Sequence, residues 1–231
     1  MRREVGTRER LLDVAERLFS DQGYDATSGR QITIEAEANI AAIHYHFGGK
    51  KELLHAVLIR RQEPITRARL DRLDALHANP NSPPTVEAIL AAFLEPALYR
   101  SRHPENPTAR VSKLVSRLLI EKPKELDAIV TAPFVGVFVR FLDALERVLP
   151  EISRQELFIR LSMVLGVLIH IATGLQEAPV LPDFAAPADD DEAVLKPVIA
   201  FLAAGFRAPS TEQAVSIESP SPLASGYGSD E

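Results

Sequence analysis

The chain has 231 residues, 46% of them apolar and none of them cysteine, with a formal net charge of −6. That length suits a small domain joined to a larger one, and the missing cysteine excludes disulfides, thiolate metal sites and thiol nucleophiles while fitting a reducing, cytoplasmic setting. The charged N-terminus lacks an apolar run, so no signal peptide is expected, and the most apolar stretch, 161–169, is too short to span a bilayer.

The acidity is local. From Val180 onward there are nine acidic and two basic residues, whereas the 179 residues before it hold 23 acidic and 24 basic. Any polyanion must therefore be held by placed contacts rather than by a broad positive field.

Met1 to Gly6, with Arg2 and Arg3, reads either as a flexible arm or as a minor-groove or phosphate contact. A helix is predicted from Thr7 to Gln22, because Leu11, Leu12, Ala15, Leu18 and Phe19 share one face; Gly23 closes it as a left-handed cap. Thr27 or Ser28 caps the next helix, and Ser28 with Gln31 has capping-box spacing. A tight break at Glu37-Ala38-Asn39 leads into a two-turn helix in which Ile40, Ile43 and Phe47 form an inward apolar stripe. Ala41, Ala42, Tyr45 and His46 then turn outward, with His44 on the flank. A short helix, small and polar outside and pinned by apolar anchors, suits a DNA major groove. By geometry alone, Asn39 can pair with adenine and Ala42 can meet a thymine methyl.

Gly48-Gly49 stops that helix, and a long one follows from Lys50 to about Leu76 with a kink expected at Pro64. His77 to Pro84 reads as a loop. Further helices are predicted near 85–102, 107–121, 123–148, 153–176 and 190–207, separated by proline-marked breaks. Asp189 to Glu192 reads as a helix cap and dipole partner, and the Pro/Ser/Gly/acid segment from Ala208 has too little apolar content to fold. The expected class is all-α, a three-helix helix-turn-helix head on a larger helical body.

Chemistry-bearing motifs are scarce. His44 and His46 stand at i and i+2, which do not face each other on a helix, so no metal site is expected. There is no nucleophile elbow, phosphate-cradling glycine loop or zinc-protease motif, so neither an enzyme nor a cofactor is expected. The middle helices carry Arg110, Lys113, Arg117, Arg140, Arg160 and His170 beside Phe134, Phe138, Phe141, Phe158, Met163 and Leu165. For most of these an apolar core with exposed basic faces is sufficient. Taken together, a few polar groups among apolar helices meet the needs of an amphipathic ligand, with Arg117, Phe134, Phe138, Met163 and His170 as the candidate lining.

Thr27-Ser28, Arg30, Ile32, Ala36, and above all Tyr45-His46-Phe47-Gly48 followed by Lys50 and Glu52-Leu53-Leu54, resemble the DNA-binding domain of the TetR family. The resemblance implies a DNA-binding head over 1–50 and a ligand-binding and dimerisation body over 51–207, and composition adds an acidic tail over 208–231 that is expected to stay disordered. It implies a homodimeric repressor on a palindromic double-stranded operator, released by a small molecule and without a membrane partner. Thr27, Arg30 and Tyr45 would touch phosphates or base edges, and His46 and Lys50 further phosphates. Asn39, Ala41, Ala42 and His44 would lie on the reading face. The last two ordered helices would pair across a four-helix dimer interface. The body is loosely similar to a PsrA-like, fatty-acid-responsive subgroup, which implies a hydrophobic or acyl effector. The chain departs from the family at Glu37 and Ala38, where glycine and valine are common. The rival readings are a helical ligand- or protein-binding module that has lost DNA binding, and a small helical enzyme.

Overall fold

A computed structural model describes residues 6–78, 83–102, 114, 115, 118, 127–172 and 191–210. Every described element is an α-helix: α1 (Thr7–Gln22), α2 (Gly29–Glu35), α3 (Ala41–Phe47), α4 (Lys50–His77), α5 (Val86–Arg102), α6 (Asp127–Val148), α7 (Arg154–Ala172) and α8 (Asp191–Arg207). The helix expected at 107–121 lies outside the described residues apart from Leu114, Val115 and Leu118, as do the arm 1–5 and the tail beyond 210.

Two apolar cores follow from the helical periods. In the first, Leu11, Leu12, Leu18 and Phe19 of α1 meet Ile32 of α2, Ile43 of α3 and Leu53, Leu54, Val57 and Leu58 of α4. Leu114, Val115, Leu118 and half-buried Phe134 complete that core from later in the chain. The second core joins Leu73 of α4 to Phe93 and Leu94 of α5, Phe141 and Leu145 of α6, Leu161 and Val164 of α7, and Phe206 of α8. α5 is its axis, touching α4, α6, α7 and α8. Phe93 meets Phe141 edge-on at 5.0 Å between centroids and Phe138 at 5.7 Å. Removing one such buried ring costs about 3–5 kcal/mol, far more than any single surface ion pair in the molecule.

α4 links the cores. It runs 28 residues without a break although Pro64 removes one internal donor. Arg60 Nη1 donates to Asp13 Oδ1 of α1 at 2.8 Å, and Arg61 Nε donates to Glu16 Oε2, also at 2.8 Å. Arg60 Nη2 reaches the same Glu16 oxygen, so a nearly buried carboxylate is matched by two guanidinium groups. At the far end of the body, Arg160 donates to the carbonyls of Gly205, Phe206, Ala208 and Pro209, closing the C-terminus of α8. Its Nη2 also pairs with Glu156 at 2.5 Å. Arg160 is therefore a helix cap, which places it among the structural residues.

Two local expectations are corrected. Ile40 is 54% exposed and does not join the inward stripe, because it precedes the first turn of α3 and points past the core that holds Ile43. Gly23 has φ 89° as its capping role requires, but ψ 167°, an extended mirror-image conformation that glycine alone adopts freely, rather than the left-handed helical one.

Candidate nucleic-acid interface

The turn between α2 and α3 is built from backbone bonds. Ser28 Oγ accepts the Gln31 amide at 3.1 Å and starts α2. Among the described residues Gln31 returns no bond to the Ser28 amide; its Nε2 donates to Gln22 Oε1. At the other end the Ala38 amide donates to Thr33 O at 2.9 Å and the Glu37 amide to Ile34 O at 3.1 Å, the paired bonds of a Schellman motif. Glu37 occupies its left-handed position at φ 49°, the only non-glycine residue of positive φ among the described residues. Arg10 Nε donates to Ala36 O at 3.0 Å and ties this turn to α1. α3 then begins under Asn39, whose Oδ1 accepts the Ala41 amide at 3.0 Å, and ends at Gly48, φ 95°.

The outer face of α3 matches the expectation at several positions. Tyr45 is 84% exposed; Ala41 and His44 are exposed, and Ala42 and His46 half-exposed. His44 Nδ1–H donates to Gly48 O at 3.0 Å, which in the neutral ring leaves Nε2 as an outward acceptor. The Tyr45 and His46 rings meet edge-on at 4.9 Å, so the two groups that would bracket a phosphate brace one another. Arg30 is exposed, and its side chain has no ion-pair or hydrogen-bond partner among the described residues. Lys50 Nζ lies 4.0 Å from the Tyr24 ring centroid beside the end of α3, and partial burial lowers its pKa, opposed by Asp25.

Two residues are placed differently. Thr27 is fully buried, and its hydroxyl donates to Gly23 O at 2.7 Å, so its side chain stitches α1 to α2 and cannot reach DNA. The exposed cap Ser28 holds the outward position instead. Asn39 is exposed, but its oxygen is engaged as the cap of α3, so a two-point contact with adenine would break that cap.

Of the residues expected to line a ligand pocket, the four described have different surroundings. Phe134 packs against the head core, while Phe138 joins the Phe93 cluster and meets Phe158 at 6.5 Å. Met163 is 62% exposed on α7 and His170 is exposed near its end; Arg117 lies outside the described residues. Among the described residues the most deeply buried charge of the body is Arg69, which the sequence reading does not single out. Its signal was legible in the spacing, since it sits between Ile65 and Leu73 on the inward stripe of α4.

A short, outward-facing helix set by a tight turn on a helical body defines a helix-turn-helix regulator that binds DNA. The chain belongs to the TetR family. The family model described as bacterial regulatory proteins, tetR family, matches residues 11–57, and the tetracyclin repressor-like C-terminal domain matches 91–205. The transcriptional regulator SrpR of Pseudomonas putida is 30% identical over 172 residues, 73% of each chain. Among solved structures, the fatty acid degradation regulator FadR from Bacillus halodurans superposes with a TM-score of 0.61 at 15% identity, over 89% of this chain and 99% of that one. AibR in complex with isovaleryl coenzyme A and operator DNA superposes with a TM-score of 0.59 at 16% identity, over 85% and 97%. The fold, the two parts of the family and the regulator class all agree. No helix among the described residues is long and apolar enough to cross a membrane.

Proposed function

We propose that this regulator is a cytoplasmic, homodimeric repressor that binds a palindromic operator and is released by a small, largely apolar effector. The exposed face of α3, small at Ala41 and Ala42 and flanked by Tyr45, His46, Arg30 and Lys50, supports the DNA reading most directly. It puts backbone within reach of base edges and phosphate-binding groups at its margins. Thr27 is left out of this set, and Asn39 enters it as the cap that aims α3.

The dimer reading is supported by one surface. α7 exposes Ile159, Met163 and Gly166, and α8 exposes Pro197, Ala200, Phe201 and Ala204, apolar or small residues at helical spacing. Phe201 alone is 75% exposed, a large apolar group that a partner would cover. A two-fold pairing there would set two α3 helices against two half-sites. Selection of bound sequences from a random DNA pool tests the whole reading. Recovery of an inverted repeat with salt-dependent binding is expected; recovery of no sequence would favour a module that no longer binds DNA.

A further inference from the structure

We propose that Arg69 anchors the carboxylate of the effector, so that the ligand class is an apolar acid. This rests on the proposed effector-controlled repressor and narrows its ligand. Arg69 is 2% exposed, in the middle of the long linking helix. Its Nε donates to Phe93 O at 2.7 Å, and its guanidinium carbon lies 4.0 Å from the Phe93 ring centroid. Three other shielded arginines meet carboxylates: Arg60 and Arg61 meet Glu16, and Arg160 meets Glu156. Arg69, the deepest of them, has no acidic partner among the described residues.

A buried cation without a counter-ion is costly to keep, and the contacts present do not account for it. The Phe93 carbonyl, one residue past the Ala92 carbonyl that the missing Pro96 amide leaves open, takes a single donor from Arg69. Arg69 brings five, and the pair of Nη groups forms the planar fork that accepts a carboxylate in two parallel bonds. Its surroundings are apolar, with Ile65 and Leu73 a turn away on α4 and Phe93 and Phe141 across from it. Gln62, also buried, stands about 10 Å up the same stripe at ~1.5 Å per residue, and its side chain has no hydrogen bond among the described residues. A cation, an apolar wall and a second polar group in line fit an acid with an apolar body. Burial pushes the Arg69 guanidinium down to about 9, still protonated at neutral pH, so the fork is charged where the protein works.

The test measures binding of octanoate, decanoate and phenylbutyrate to the full chain, each beside its methyl ester, by calorimetry and by thermal melting. The expected result is that at least one acid binds tenfold or more tightly than its ester, and that Arg69→Met removes the preference. The fatty and aryl arms separate the two shapes of apolar body. Arg69→Lys, which keeps charge without the fork, should retain only part of the preference. Acids and esters bound alike, no acid bound at all, or a preference that survives in Arg69→Met would each overturn the proposal. Should Arg69→Met fail to fold, the acid–ester comparison on the unmodified protein together with Arg69→Lys still decides. Operator release is read separately on selected DNA: acid bound through Arg69 without release supports the anchor and counts against the effector-controlled repressor.

Discussion

The amide of Ala38 donates to the carbonyl of Thr33 at 2.9 Å, and within the loop this bond closes Glu37 is held at φ 49°. The turn that aims α3 is thus made by a backbone motif that favours glycine, with a glutamate in the glycine position. The side chain is exposed, so nothing packs it there.

Glu37→Gly should relieve left-handed strain of about 1–2 kcal/mol, offset by about 0.5–1 kcal/mol of added chain entropy in the unfolded state. The expected outcome is a melting temperature higher by a few degrees at most. Operator binding should tighten as a carboxylate near the DNA is removed, and more so at low salt. Glu37→Val should melt lower than both, because a β-branched residue resists positive φ. A glycine variant that melts no higher than the parent and binds no tighter would show that the turn is unstrained.

Lys50→Ala should weaken binding to all DNA sequences and lower the slope of log affinity against log salt by about one unit. Tyr45→Phe should weaken binding without moving the slope, since it removes a hydroxyl and no charge. An unchanged slope for Lys50→Ala would leave that lysine as a partner of Tyr24 alone.

Glu16→Ala leaves the Arg60 and Arg61 guanidinium groups without their shared carboxylate at the α1–α4 seam. With both arginines partly solvated, the expected loss is about 1–3 kcal/mol, read by denaturant unfolding. Glu63→Ala, which removes a pair exposed on both sides, should stay within about 0.5 kcal/mol.

Met163→Glu and Phe201→Glu should each weaken dimerisation by about 100-fold or more, since a charge buried without a partner costs several kcal/mol. Both side chains are exposed in the single chain, so the monomer should stay folded. Val167 and Ile199 serve less well, because they pack partly against the monomer's own core. Unchanged sedimentation at micromolar concentration would move the interface to another face.

Arg207 grips Glu87 through both carboxylate oxygens, Nη2 to Oε2 at 2.6 Å, and joins the end of α8 to the start of α5. This hydrogen bonding to Arg207 holds the Glu87 carboxyl down to about 2. A depressed folded value stabilises above the ordinary carboxylate range and loses that contribution as pH falls through about 2. Glu87→Gln should therefore be less stable than the parent at neutral pH, by no more than about 1 kcal/mol for so exposed a pair. The gap should close between pH 4.5 and 2, and a gap independent of pH would rule out the ion pair as its source.

What was legible in the sequence were the features written in local spacing. The period of Leu11, Leu12, Leu18 and Phe19, the glycine stop at Gly48 and the proline breaks place nearly every described helix. The departure at Glu37 was visible because a left-handed cap is a property of five consecutive residues. Thr27 was misplaced because whether a hydroxyl faces DNA or a carbonyl nine residues back depends on how α1 docks, which no local pattern encodes. Met163 and His170 are exposed in the single chain, and an apolar helical period by itself does not say whether a pocket, a partner or solvent faces such a residue. Arg69 shares the inward stripe of α4 with Ile65 and Leu73, so its burial is legible in the spacing even though a basic residue on a long helix is usually solvated.

The head core is finished by Leu114, Val115, Leu118 and Phe134, residues that lie far along the chain from the Leu58 with which they cluster. A fragment ending near residue 60 would lack the plug that these side chains supply, and should exchange its amide hydrogens faster than the same helices in the whole chain. The same fact bears on chimeras. A head grafted onto a foreign body would inherit whatever side chains that body offers to the head core. Successful exchange of DNA specificity would then require moving 114–118 and Phe134 together with the first helices, as one unit that is not contiguous in the chain.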